Sequence, residues 1–114
     1  MGKTGKPDRR AQARVLKALA HPTRLHFVER LADGPLCVCD LARGIRADLS
    51  TISRHLSLLK SAGIVADERR GTKVFYELRT HCVLQFLECV STVLRENARA
   101  QAKAAGLQTH ASAR

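Results

Sequence analysis

The chain has 114 residues, with 20 Lys and Arg against 10 Asp and Glu, and a formal net charge of +10. That imbalance suits nucleic acid or an anionic membrane surface, and the length fits one small domain with a modest core. No apolar run approaches the roughly 20 residues that cross a bilayer, and with only 4% aromatic residues a base-stacking single-strand binder is disfavoured.

The opening MGKTGKPDRR has no apolar stretch behind its charges and is not read as a signal peptide. A cytoplasmic location is therefore expected, and the four cysteines are read as reduced thiols rather than as a disulfide framework. Residues 1–8 are polar and without periodicity, which predicts a flexible basic arm. Residues 9–96 are read as one domain, and 97–114 as a helix end running into a disordered tail. Ala11, Val15, Leu16 and Leu19 mark a first helix over residues 9–20. His21-Pro22 breaks it, with Pro22 placed as the first residue of a second helix that buries Leu25, Phe27, Val28 and Leu31. Residues 32–35 form a turn. A short third helix begins at Cys37 or Val38 and closes at Gly44.

The next helix organises the chain. Ile52, Leu56, Leu59 and Ile64 recur near helical period, Asp48 stands where an N-cap would, and Gly63 ends the helix. Outward from it face Ser50, Thr51, Ser53, Arg54, Ser57 and Lys60, almost without carboxylates. An ordinary solvated face would mix Glu with Lys; this one is suited to approach a polyanion. The period then changes towards two. Ile64 and Val65 open one strand, and Val74, Tyr76 and Leu78 alternate in the other, with Phe75 on the opposite face. Between them lies a basic turn, residues 67–73, centred on Gly71 and carrying Arg69, Arg70 and Lys73. Thr80 is placed to cap a last helix over residues 81–99. On it Val83, Leu87, Val90 and Leu94 form one stripe, and Cys82, Phe86, Cys89 and Val93 an adjacent one. So wide an apolar face predicts packing against the first helix and against its copy in a second subunit; a single wide core face in a monomer is the alternative. The expected interface residues are Val15, Leu16, Leu19, Val83, Phe86, Leu87, Val90, Val93 and Leu94.

Helix, turn, helix and basic hairpin describe a winged helix-turn-helix: mostly α, about five helices plus a two-stranded wing, dimerising through its first and last helices. In such a fold the start of the second helix of the motif enters the major groove. Hydroxyls reach phosphates or either base-pair type, and Arg54 takes guanine bidentately or clamps a phosphate. His55 either touches DNA or packs near the wing. Arg69, Arg70 and Lys73 supply salt-dependent affinity with little sequence preference.

Residues 18–94 resemble the arsenic-repressor (ArsR/SmtB) family of bacterial metal-sensing repressors. The resemblance rests on LKALAHPTRL at residues 16–25, LCVCDL at 36–41, STISRHL at 50–56 and RGTKVFYEL at 70–78, four motifs in register. It implies a homodimeric repressor of double-stranded operator DNA, with no membrane and no further protein partner, and not an enzyme. It also implies that the Cys-Val-Cys-Asp-Leu segment is a thiolate sensor for arsenite or antimonite, or in relatives for cadmium, lead or zinc.

The residues themselves lead towards the same segment. Two positions apart in a regular helix point roughly 200° away from each other, so Cys37 and Cys39 can converge only where the backbone is still adjustable, at a helix start. Soft thiolates select soft ions, and the positive helix end is expected to lower the thiol pKa. Two structural cysteines are the alternative. Three features depart from the family pattern. Ala42 stands where the arsenic-binding members that this stretch resembles have a third Cys, residues 1–20 lack the arm thiols of the cadmium and lead members, and Thr80, Cys82, Val93 and Glu96 break the zinc site of the last helix. A three-sulfur As(III) centre would therefore draw on Cys82 or Cys89, seven apart and on one helix face, or on an exogenous ligand. The expected function is a repressor that dissociates from DNA when As(III) or Sb(III) binds Cys37 and Cys39. The alternative is the same fold answering another soft ion (Cd, Pb, Zn, Cu(I)), or a dithiol redox or reactive-sulfur signal. No organic cofactor is expected. A thiol enzyme and a non-specific nucleoid protein are the remaining readings.

Overall fold

The computed structural model describes residues 5–106 and resolves into two compact units, Met1–His81 and Cys82–Arg114. The division falls at the start of the last helix, inside the span read from the sequence as one domain.

In the first unit, helix α1 (Arg9–Leu19) starts where Asp8 accepts hydrogen bonds from the amides of Arg10 and Ala11 at 3.0 and 3.1 Å. Asp8 is thus a helix cap rather than part of an arm, and residues 1–4 of that expected arm lie outside the described residues. Helix α2 (Pro22–Arg30) begins on Pro22 as expected, with His21 as its N-cap. A single 3₁₀ turn, Leu31–Asp33, and Gly34 then lead into strand β1 (Leu36–Cys37) and helix α3 (Val38–Ala42). Helix α4 (Leu49–Ser61) carries Asp48 at its N-cap, accepting from Thr51 N–H at 2.9 Å. At its far end Gly63 takes φ +83°. Its N–H bonds Lys60 O and the Ile64 N–H bonds Leu59 O, the paired closure that terminates a helix with a left-handed residue.

Strands β2 (Val65–Arg70) and β3 (Lys73–Leu78) form the wing. Arg70 pairs with Lys73, so the reversal is the two-residue Gly71-Thr72, with Gly71 at φ +64°, the conformation that short hairpins demand. The seven-residue turn expected from the charged run is corrected: residues 67–70 are strand, held in place by their partners on β3 despite low intrinsic propensity. The two-stranded wing is as expected, and β1 extends its sheet to three strands in the order β1-β3-β2. Leu36 lies opposite Tyr76 and Cys37 opposite Phe75. Two residues are too few to show a period, so nothing local announced this strand.

The core of this unit gathers Phe27, Val28 and Leu31 from the α2 segment, Leu41 from α3, Ile52, Leu56 and Leu59 from α4, and Ile64, Val65, Tyr76 and Leu78 from the wing base. Leu19 is 4% exposed and belongs to this core rather than to the outward face of α1. Val15 and Leu16 remain exposed.

The second unit is helix α5 (Cys82–Ala104), no residue of which is buried. It extends five residues past the expected end at Arg99, because the Ala-, Gln- and Lys-bearing stretch is rich in strong helix formers. The expected tail beyond residue 106 lies outside the described residues. Phe86, Val90, Val93 and Leu94 are exposed, Leu94 at 63%; Val83 and Leu87 are half-buried.

Candidate functional site

Cys37 ends β1 in extended geometry, φ −78° and ψ 162°, and is the N-cap of α3. Its Sγ accepts from the Asp40 N–H at 3.4 Å. Because Cys37 lies outside the helical turn and Cys39 within it, the opposed directions of two helical positions do not apply. The sulfurs of Cys37 and Cys39 and a carboxylate oxygen of Asp40 all lie within 4.8 Å of one another. Cys37 is buried and Cys39 exposed, so the cluster has one anchored sulfur and one open to solvent.

Asp40 is a potential ligand that the sequence reading left out, although its place three residues after the cap predicts that it faces Cys37. Its carboxylate meets Arg43 at 3.2 Å in an exposed pair, and its carbonyl accepts from Arg30 at 3.2 Å. The expected lowering of the thiol pKa is corrected for Cys37. A hydrogen bond shared with the Cys39 thiol raises it, and burial and the Asp40 charge add to this, outweighing the lowering by the Asp40 amide. Cys37 is a protonated thiol at neutral pH, so a metal captured here must displace its proton. As a donor set, two sulfurs and a carboxylate oxygen fit a thiophilic ion. Cys82 and Cys89 are exposed on α5, in the second unit.

On α4, Ser50, Thr51, Ser53, Arg54 and Ser57 are exposed. The Ser50 hydroxyl donates to Asp48 at 3.0 Å. Three other candidate contacts are engaged within the fold. Lys60 Nζ lies 3.0 and 3.1 Å from the two carboxylate oxygens of Asp67 on β2, which hold its ammonium above the ordinary lysine pKa. Arg70 binds Glu68 at 3.2 and 3.3 Å and lies 4.5 Å above the Phe75 ring. His55 does not pack near the wing; its ring meets His21 and Arg24 at the start of α2. By contrast Arg54, Arg69 and Lys73 are exposed cations without an ion pair among the described residues. The register puts Arg69 on the sheet face that also carries Val65, Val74 and Tyr76, while Arg70 and Lys73 lie on the other.

The family model described as bacterial regulatory protein, arsR family, matches residues 21–67, a span running from the α2 cap through the thiol cluster and α4 into the wing. The transcriptional regulator NmtR of Mycobacterium tuberculosis is 39% identical over 84 residues, covering 71% of this chain and 70% of that one. The chain belongs to the arsR family of bacterial regulatory proteins. Two further relatives carry different metals in their names. The arsenical resistance operon repressor of Escherichia coli is 43% identical over 68 residues, 59% of this chain and 58% of its own length. A cadmium resistance regulatory protein, the CadC homologue of Staphylococcus aureus, is 42% identical over 77 residues, 67% of this chain and 64% of its own. The chain thus spans less than two thirds of several curated relatives, 53–64% of their length. Among solved structures, the homodimeric winged helix-turn-helix DNA-binding domain Mb0332 of Mycobacterium bovis superposes with a TM-score of 0.68 at 33% identity, covering 86% of this chain and 95% of that one.

Proposed function

We propose that this arsR-family protein is a cytoplasmic homodimeric repressor that binds operator DNA through α4 and the wing and lets go when a thiophilic ion, foremost As(III), is held by Cys37 and Cys39. The observation that carries the reading is the convergence of both sulfurs at the first turn of α3, immediately ahead of the helix that presents Ser50, Thr51, Ser53 and Arg54. DNA binding is supported by the bare cations at the α4 face and wing tip, which suit phosphates and base edges. Dimerisation is supported by the exposed apolar stripe Phe86, Val90, Val93 and Leu94 on α5 and by Val15 and Leu16 on α1, surfaces that a monomer leaves in water.

The coupling follows from what Cys37 does in the fold. It caps α3, pairs with Phe75 of the wing strand β3, and presents its sulfur to the cluster. Turning that sulfur towards a ligand disturbs the cap bond to Asp40, and α3 packs directly on both α4 and β3. A bound ion supplies the attraction between the two sulfurs; α3 passes the strain to the two elements that touch DNA. A coupling of about 1–3 kcal/mol between the two sites suffices for a functional switch.

The test is binding of a duplex, selected from a random pool by the protein itself, titrated with arsenite, antimonite, cadmium, lead, zinc and copper(I) in reductant. Arsenite is expected to release the duplex, and Cys37→Ser and Cys39→Ser to abolish release. Equal binding by the loaded and empty protein would refute the switch. Sulfur coordination by X-ray absorption in wild type, Cys82→Ser and Cys89→Ser shows whether either α5 thiol supplies a third sulfur. A second reading, a divalent soft ion such as cadmium, is favoured by the Asp40 oxygen in the cluster, since arsenic(III) prefers sulfur alone and the two metal-named relatives match equally well.

A further inference from the structure

One cluster of polar side chains between α2 and α4 is not used by the switch. Arg24, in the first turn of α2, is half-buried. Its Nε donates to the carbonyl of Ala18 in α1 at 2.6 Å, and its Nη1 to Nδ1 of His55 in α4 at 3.0 Å. One guanidinium therefore ties the end of the first helix to the reading helix. The His21 ring lies against His55, centroids 4.3 Å apart and planes tilted by 46°. His21 is held in turn, its Nδ1 accepting from the Thr23 N–H at 3.1 Å.

We propose that Arg24 is a positioning residue for operator binding: through His55 it fixes α4 against the α1–α2 corner, and it does so only while His55 is neutral. The proposal rests on the operator-binding reading above. A guanidinium donates and never accepts, so the Nδ1 that meets it must be the bare nitrogen. The neutral ring then carries its proton on Nε2. A second proton on His55 would put N–H against N–H and break the tie. The groups facing His55 are His21 and Arg24 from the α2 segment and Arg54 from its own helix. All are cationic or able to become so, and none is a carboxylate that would welcome the proton. Burial, reinforced by these neighbours, keeps the proton off. Arg54, a side chain proposed to meet DNA, is the preceding residue of the same helix, so a loosened His55 frees the rotation that aims Arg54.

The test uses the full chain and the selected duplex, with affinity measured between pH 7.5 and 5.5. Losing a hydrogen bond to a charged group predicts an affinity drop of about tenfold in Arg24→Leu at pH 7.5; in wild type, acidification to pH 5.5 is expected to give a smaller, progressive drop, because His55 resists the proton. His55→Asn, which keeps an acceptor near the Nδ1 position and cannot take a proton, is expected to flatten the pH profile whatever its absolute affinity. Nitrogen-15 NMR of the DNA-free protein is expected to show His55 as the Nε2–H tautomer in wild type and a changed Nδ1 resonance in Arg24→Leu. Wild-type affinity in Arg24→Leu, an undiminished pH profile in His55→Asn, or an Nδ1–H tautomer would each overturn the proposal. If wild type binds no duplex at any pH, the repressor reading falls, and the positioning role with it; the wrong tautomer removes the tie and leaves the repressor intact.

Discussion

Removing Arg69 and Lys73 together should change how operator binding depends on salt, and by a calculable amount. Both are exposed near the wing tip without an ion pair among the described residues, whereas Arg70 between them is held by Glu68 and the Phe75 ring. A homodimer presents two wings, so Arg69→Ala/Lys73→Ala removes about four phosphate contacts, each worth about 0.9 in the slope of log affinity against log salt. The slope should therefore become shallower by about 3.6, and the gap to wild type should narrow roughly 150-fold between 50 and 200 mM salt. Arg70→Ala should move the slope much less, because its charge is already balanced by Glu68. Fluorescence anisotropy on the selected duplex over that range measures all three. An unchanged slope in the double variant, or an equal change in Arg70→Ala, would refute the assignment of the free cations to phosphate.

Leu56 is fully buried in α4, so Leu56→Ala should cost about 2–5 kcal/mol of stability, read by denaturant unfolding. Gly71 sits at φ +64°, and Gly71→Val should lower the melting temperature by at least a few degrees and weaken the wing, because a β-branched residue fits that conformation poorly. His55 resists protonation in the fold, chiefly through burial and then through His21, Arg24 and Arg54. Its contribution is thus complete above the unfolded value of about 6.5 and is lost as pH falls below it; thermal melts between pH 7.5 and 5.5 should show the decline in wild type and less of it in His55→Asn. Cys37 must shed a raised proton to bind a divalent ion, so cadmium affinity should rise with pH above neutrality, whereas arsenite, whose hydroxides leave with the thiol protons as water, should show little such rise; titration calorimetry can follow both.

The elements with a repeating signal were legible in the sequence. The Ile52–Leu56–Leu59 stripe, the Asp48 cap and the Gly63 stop each state a local rule, and α4 obeys all three. The alternation of Val74, Tyr76 and Leu78 announced β3 for the same reason. What escaped depends on partners distant in the chain. Strand β1 exists because Leu36 and Cys37 meet Tyr76 and Phe75, residues 67–70 are strand because β3 holds them, and Lys60 turns from DNA candidate to wing strut because Asp67 reaches it. The thiol pair was singled out by its place at a helix start and by the family resemblance, while the Asp40 oxygen and the raised Cys37 proton emerge only once the cap geometry is known. His55 was the hardest to place: one residue gave no hint that α2, rather than the wing or DNA, would claim it.

In the proposed switch one atom would serve as detector and as masonry, which constrains how this protein can be altered. Cys39 stands in solvent and can be exchanged with little harm to the architecture, but Cys37 is at once a rung of the sheet and the keystone of the following turn. A substitution at Cys37 that removed the proposed response would therefore also loosen the wing, and only a serine there, still able to accept the Asp40 amide, separates the two effects. A lineage drifting away from metal response would be expected to discard Cys39 first.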